Sequence, residues 1–145
     1  QKLGPEPLGN NFNSDYLKIK LSKKESPIKN VLLDQSVVSG LGNIYVCEAL
    51  FMSGISPRKK ASKISKGKCE ELVQNIRTIL ISAIEAGGSS LKDFTDIQGN
   101  SGYFQFEFYV YGRENSWCKT RDCGHKIQRI SQSGRSSFYC PSCQR

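Results

Sequence analysis

Several things are scarce or missing in this 145-residue chain, and each absence narrows its possible roles. No apolar run approaches the roughly 20 residues that a helix needs to cross a bilayer, which excludes a helical membrane span. Nothing resembles a secretory signal peptide. The chain opens without methionine at "QKLGPEPLGN", a loop-like stretch with two prolines and two glycines, and reads as a piece of a longer protein. Repeats and low-complexity tracts are absent. Acidic residues are few, 13 against 21 lysines and arginines, for a formal net charge of +8. The excess is compatible with solvated lysines on any soluble protein. It also suits a polyanionic partner, nucleic acid before an anionic membrane surface. The last forty residues lack the aliphatic side chains to form a core of their own, so that segment requires a staple.

With 37% hydrophobic and 23% charged residues, the chain is globular rather than disordered. Residues 1–13 read as a connecting loop. Ser14 or Asp15 caps a short helix in "DYLKIKLSKK", and Pro27 suits the first turn of a helix over "IKNVLLDQ". Two glycines in "SVVSGLG" break the periodicity, and a helix over "NIYVCEALFMS" starts at Asn43 and stops at Gly54. The clearest helix covers 66–86, with Cys69, Leu72, Val73, Ile76, Ile79, Leu80, Ala83 and Ile84 on one apolar stripe. Gly87 and Gly88 end it. "GISPRKKASKIS" is a basic loop, "KDFTDIQGNSGYFQ" a polar one, and "FQFEFYVYG" alternates as a strand does. The fold class is mainly α, with a β-hairpin at the end.

Four of the six cysteines fall in the last 29 residues, as Cys118-x4-Cys123 and Cys140-x2-Cys143, with 16 residues between the pairs. Two tight turns presenting two thiolates each satisfy the tetrahedral geometry of zinc, with Zn–S near 2.3 Å. Between them, "GHKIQRISQSGRSSFY" reads as strand, turn at Ser133-Gly134, strand. That is a zinc ribbon whose metal supplies folding free energy that burial cannot. Two disulfides are the alternative, and they need an oxidising compartment. The x4 gap is looser than the usual x2. His125, two residues after Cys123, is expected at the surface rather than on the metal. Cys47 and Cys69 lie on apolar helix faces and are expected as core thiols.

Arg129 and Arg135 flank the hairpin turn. A metal-locked hairpin would hold both guanidiniums on a rigid edge, where their forks match phosphate oxygens. Gly40 and Gly42 let the chain turn sharply and leave bare amides at the helix that begins at Asn43, a ready anion site. Helical hairpins with glycine turns are common, so this signal gains meaning only beside the basic ribbon.

At "LGPEPL", "LLDQSVVSGLGNIYVCEALF", "GGSSLKDF", "YVYGR" and "GRSSFYCPSCQ" the chain resembles the bacterial formamidopyrimidine-DNA glycosylases, which remove oxidised purines such as 8-oxoguanine. Endonuclease VIII-type glycosylases share the architecture, and "LGPEPL" and "GGSSLKDF" favour the formamidopyrimidine branch. The resemblance implies a linker over 1–13, a helix–two-turns–helix DNA-binding module over 14–105 and a zinc-ribbon finger over 106–145. It implies one zinc ion on Cys118, Cys123, Cys140 and Cys143. Asn43 with Gly42, Tyr111, Arg129 and Arg135 are assigned to phosphates beside the damaged nucleotide, and Arg135 also to proton donation in the elimination step. Lys24 and Lys29 match DNA-contacting lysines. Leu91, Lys92, Asp93 and Phe94 match the loop that closes over the flipped base. The implied protein is a cytoplasmic bacterial monomer acting on double-stranded DNA that carries an oxidised purine or an abasic site.

Family members begin with a catalytic proline followed by glutamate, on an N-terminal domain that is not in this sequence. No other residue here is an evident nucleophile, because the lysines sit in polar stretches that would not lower their pKa. The chain is therefore expected to bind DNA without cutting it. Two other classes remain open: a non-catalytic DNA-binding module whose parent has lost the nucleophile, and a protein-interaction domain in which zinc is structural only.

Overall fold

The structure is a computed structural model that describes residues 2–86 and 107–145. Four helices come first: α1 (Ser14–Ser22), α2 (Ile28–Leu33), α3 (Asn43–Met52) and α4 (Lys66–Glu85), with a short 3-10 turn at Ala61–Lys63. An antiparallel hairpin follows, β1 (Gln128–Gln132) and β2 (Arg135–Tyr139), in the register Gln128 opposite Tyr139 through Gln132 opposite Arg135.

Local chemistry explains the helix starts. The Asn13 side chain accepts from the Tyr16 amide at 2.9 Å, so Asn13 caps α1 rather than the expected Ser14 or Asp15. Ser65 caps α4 in the same way through the Lys68 amide. Pro27 stands at the N-cap of α2, just before the first turn where it was expected. Gly42 caps α3 without a side chain. The apolar stripe of α4 is buried as expected at Cys69, Leu72, Val73, Ile76, Ile79 and Ala83, whereas Leu80 is half-buried and Ile84 is 57% exposed.

Helices α1 to α4 enclose the larger core, built on Leu17, Leu21, Ile28, Leu32, Val46, Leu50, Leu72 and Ile76 among others. Each fully buried aliphatic side chain contributes about 1.5–3 kcal/mol, so this unit has a core in its own right. The opening segment is a loop, but a docked one. Phe12 is fully buried in that core, and the Arg77 guanidinium donates to the carbonyls of Pro7, Gly9 and Phe12. The Gly4 amide bonds to Gln35 O, and a side chain at Gly4 would meet Val37 O at 2.5 Å.

A second, smaller cluster lies under the hairpin: Cys47 from α3, with Val110, Ile127, Phe138 and the metal-site cysteines Cys118 and Cys140. Cys47 and Cys69 are both buried thiols, as expected. The alternation in "FQFEFYVYG" does not make a strand over its described part, 107–112. Its amides turn inward instead. Those of Tyr109, Val110 and Tyr111 all donate to the carboxylate of Glu48, at 2.7 to 2.9 Å. A carboxylate that gathers three successive amides replaces the partner strand the segment would otherwise need.

Candidate nucleic-acid interface and metal centre

Two knuckles bring Cys118 and Cys123, then Cys140 and Cys143, to one point, where all four sulfurs lie within 4.8 Å of one another. The separations are 3.9 Å for Cys118–Cys143 and 3.6 Å for both Cys123–Cys140 and Cys123–Cys143. A tetrahedron with Zn–S near 2.3 Å has an edge of about 3.8 Å. A disulfide would need about 2.05 Å, and all six cysteines are free. The Thr120 and Cys143 amides point at the sulfurs of Cys118 and Cys140, each at 3.4 Å. Asp122 and Gly124 take positive φ to fold the first knuckle over its longer x4 gap. The Cys123 thiol is lowered to about 6, first by the backbone amide of His125, whereas burial pushes Cys140 up to about 12. The donor set is soft, of the right number and of the right span for one zinc ion. His125 lies outside it, exposed, with Nδ1 against Cys123 O at 2.9 Å.

The hairpin that this centre pins is latched to the helices at Ser136 of β2. Its carbonyl accepts from Lys29 Nζ of α2 at 2.9 Å and from Asn43 Nδ2 of α3 at 3.0 Å. Lys29 Nζ also donates to Ser137 Oγ at 2.6 Å. Asn30 Nδ2 reaches Ser133 Oγ, Gln132 Nε2 reaches Pro57 O, and Gln144 Nε2 reaches Ile55 O. Finger and helices therefore form one docked body.

Most of the residues matched to phosphate contacts converge on this junction. Asn43 opens α3 directly after Gly42, with no capping side chain over the first-turn amides. Arg129 on β1 bonds Ser136 Oγ through Nε and lies 3.9 Å from Glu114. The Tyr111 ring packs edge-on against Phe138, with centroids 4.9 Å apart. Arg135 is exposed at the hairpin tip and lines a cleft of about 190 Å³ with Asn30, Leu33 and Asp34. Lys24 is half-buried beside it. The Asp34 carboxyl is held below its ordinary value first by bonds from Ser36, and Lys24 acts in the same direction.

Lys29 needs correction. Expected at the DNA surface, it is 1% exposed, its ammonium donates to Ser136 and Ser137, and burial lowers its pKa. It holds the hairpin and presents nothing to solvent. Leu91, Lys92, Asp93 and Phe94 lie outside the described residues. Sequence reasoning missed Glu48, whose signal was a single acid inside the apolar run "YVCEALF". It also missed a cleft of about 560 Å³ between the opening segment (Leu3, Glu6, Leu8) and the end of α4 (Leu80, Ala83, Ile84).

The family pattern described as the formamidopyrimidine-DNA glycosylase H2TH domain matches residues 3–95. The chain belongs to this family. A second pattern, the zinc finger found in FPG and IleRS, matches residues 121–145. A formamidopyrimidine-DNA glycosylase of Ruegeria pomeroyi is 59% identical over 143 residues, 99% of this chain and 50% of that protein. The Lactococcus lactis formamidopyrimidine-DNA glycosylase bound to DNA containing an AP site superimposes with a TM-score of 0.84 at 38% identity, over 99% of this chain and 51% of that one. MutM in complex with DNA containing carbocyclic 8-oxo-G gives 0.83 at 37%, over 99% and 51%. The chain spans about half the length of the curated relatives it matches. The H2TH match begins at residue 3, so the docked opening segment belongs to the family pattern.

Proposed function

We propose that this chain is the DNA-gripping half of a base-excision glycosylase and AP lyase that removes oxidised purines such as 8-oxoguanine. Its share of the work is to hold the backbone phosphates on both sides of the damaged nucleotide. The observation that carries this reading is the convergence at Ser136–Phe138 of a side-chain-free helix start at Gly42–Asn43, the Tyr111 ring and the Arg129 guanidinium, with Arg135 exposed at the adjoining hairpin tip. Bare amides and guanidinium forks are the two best phosphate partners a protein has. The zinc ion contributes rigidity, fixing the hairpin so that Arg129 and Arg135 keep their spacing without an ordering penalty on binding.

Clamping phosphates while the duplex bends favours extrusion of the target nucleotide, which costs a few kcal/mol. The extruded base would face the N-terminal catalytic domain. The 560 Å³ cleft edged by the exposed Leu3, Leu8 and Ile84 is the apolar seat this reading gives to that domain. Arg135 would donate a proton in the late elimination step, and the chain alone binds without releasing base. The likeness to two DNA-bound glycosylase structures favours this reading over a protein-interaction domain.

About four or five phosphate contacts imply a slope of roughly −4 for log K against log salt, measured by anisotropy on a duplex with an abasic-site analogue. Arg135→Ala should reduce that slope by roughly 1. Binding that ignores salt contradicts the clamp, and an unchanged slope removes Arg135 from it.

A further inference from the structure

The stretch 56–63, "SPRKKASK", carries four cations and no acid, and none of its residues belongs to the cradle around Ser136. Backbone bonds sew it to the segment between α1 and α2. Lys59 O accepts from the Ile28 amide at 2.7 Å, Ser26 O from Ala61 at 2.9 Å, and Lys24 O from Ser62 at 2.9 Å. Lys23 and Lys24 are thereby brought beside Lys59, Lys60 and Lys63. With Arg58, six cations form one strip, in which Lys60 pairs with Glu25 at 3.6 Å and Lys24 lies toward Asp34. Arg58, Lys60 and Lys63 are exposed, and the backbone beneath them is fixed. The strip starts where the cradle ends. Gln132 of the hairpin bonds Pro57 O at 3.3 Å. Helix α2 has its first residue bonded to Lys59 and its last in the Arg135 cleft. Its six residues span about 9 Å, or roughly three base-pair steps of duplex.

We infer that this strip grips the phosphates of the duplex arm that flanks the lesion, outside the contacts of Asn43, Tyr111, Arg129 and Arg135. The inference rests on the phosphate-clamp reading and extends its footprint. Six like charges held on one sewn backbone repel one another, and a line of phosphates relieves that repulsion by releasing the counterions condensed on it.

The test compares two lesion-centred duplexes, with arms of about 3 and about 10 base pairs, using the zinc-loaded chain. Arg58→Gln/Lys60→Gln/Lys63→Gln should make the salt slope on the long duplex shallower by about 2 and leave the short duplex unchanged. Lys23→Gln/Lys63→Gln leaves in place both the Lys60–Glu25 pair and the Arg58 guanidinium, which lies over the Tyr139 ring 5.9 Å from its centroid, and should show the same selectivity, again at about 2. No change on the long duplex, or an equal change on both, overturns the inference. Arg135→Ala serves as the reference, weakening both duplexes. If it weakens neither, the clamp itself fails, whatever the strip variants do.

Discussion

At Ser136 one carbonyl oxygen accepts from two side chains on two different helices, Lys29 on α2 and Asn43 on α3. A carbonyl has two lone pairs, so the arrangement satisfies it fully and leaves neither helix free to drift from the hairpin. Lys29 is the stronger partner, because a hydrogen bond from a charged donor contributes about 1.5–3 kcal/mol. Lys29→Met keeps the aliphatic volume and loses only the ammonium. It should lower the unfolding free energy in denaturant by about 1–3 kcal/mol, with the salt slope for DNA unchanged. A slope shallower by about 1 with intact stability would return Lys29 to the phosphate contacts. From the sequence alone Lys29 was indistinguishable from its neighbours, since nothing in "SPIKNVLL" shows that the helix turns this position toward a strand more than a hundred residues away.

Among the elements, the segment 107–112 shows why periodicity misleads. Its apolar alternation is real, with Val110 buried between exposed or half-exposed neighbours, yet no strand lies beside it among the described residues. Glu48 takes the place of that strand, at 1% exposure and with three amides on one carboxylate. Charge-assisted bonds of this kind are about twice as strong as neutral ones. Glu48→Gln puts an amide nitrogen against backbone donors. Hydrogen exchange at Tyr109, Val110 and Tyr111 should speed up, with stability lower by about 2 kcal/mol. Unchanged exchange would show that Phe51, stacked on Tyr109 at 5.3 Å, holds the segment without Glu48. The turn of the hairpin, by contrast, was legible to the residue, although its first strand begins only at Gln128. Two cysteine pairs fix its ends and Ser133-Gly134 its turn, and both turn residues take positive φ. Metal-ligand spacing and turn chemistry are local constraints that sequence records directly. Which buried polar group meets which backbone is a tertiary fact that it does not record.

For the molecule as a whole, the helices and the finger depend on each other unequally. The helical unit has its own core and keeps its four helices by burial. The finger has Val110, Ile127 and Phe138 beneath it and little else that is apolar apart from cysteine, so its order comes from the metal and from the Ser136 latch. Spacing and composition were enough to read the zinc ribbon and the helical corner, and the family motifs connected them to DNA. The docking of the opening segment through Phe12 and Arg77 was not legible, because its prolines and glycines read as a linker. The proposed phosphate cradle spans both units, with Asn43 on one and Arg129 and Arg135 on the other, and on that reading it exists only while the hairpin holds its shape. The decisive measurement is therefore the salt dependence of DNA binding before and after zinc is removed with excess chelator, with helical content followed in the same samples. The account predicts that the helices persist while the slope collapses from roughly −4 to about −1 or less, and that adding zinc back restores it. A metal-free chain that keeps its full slope would contradict the account.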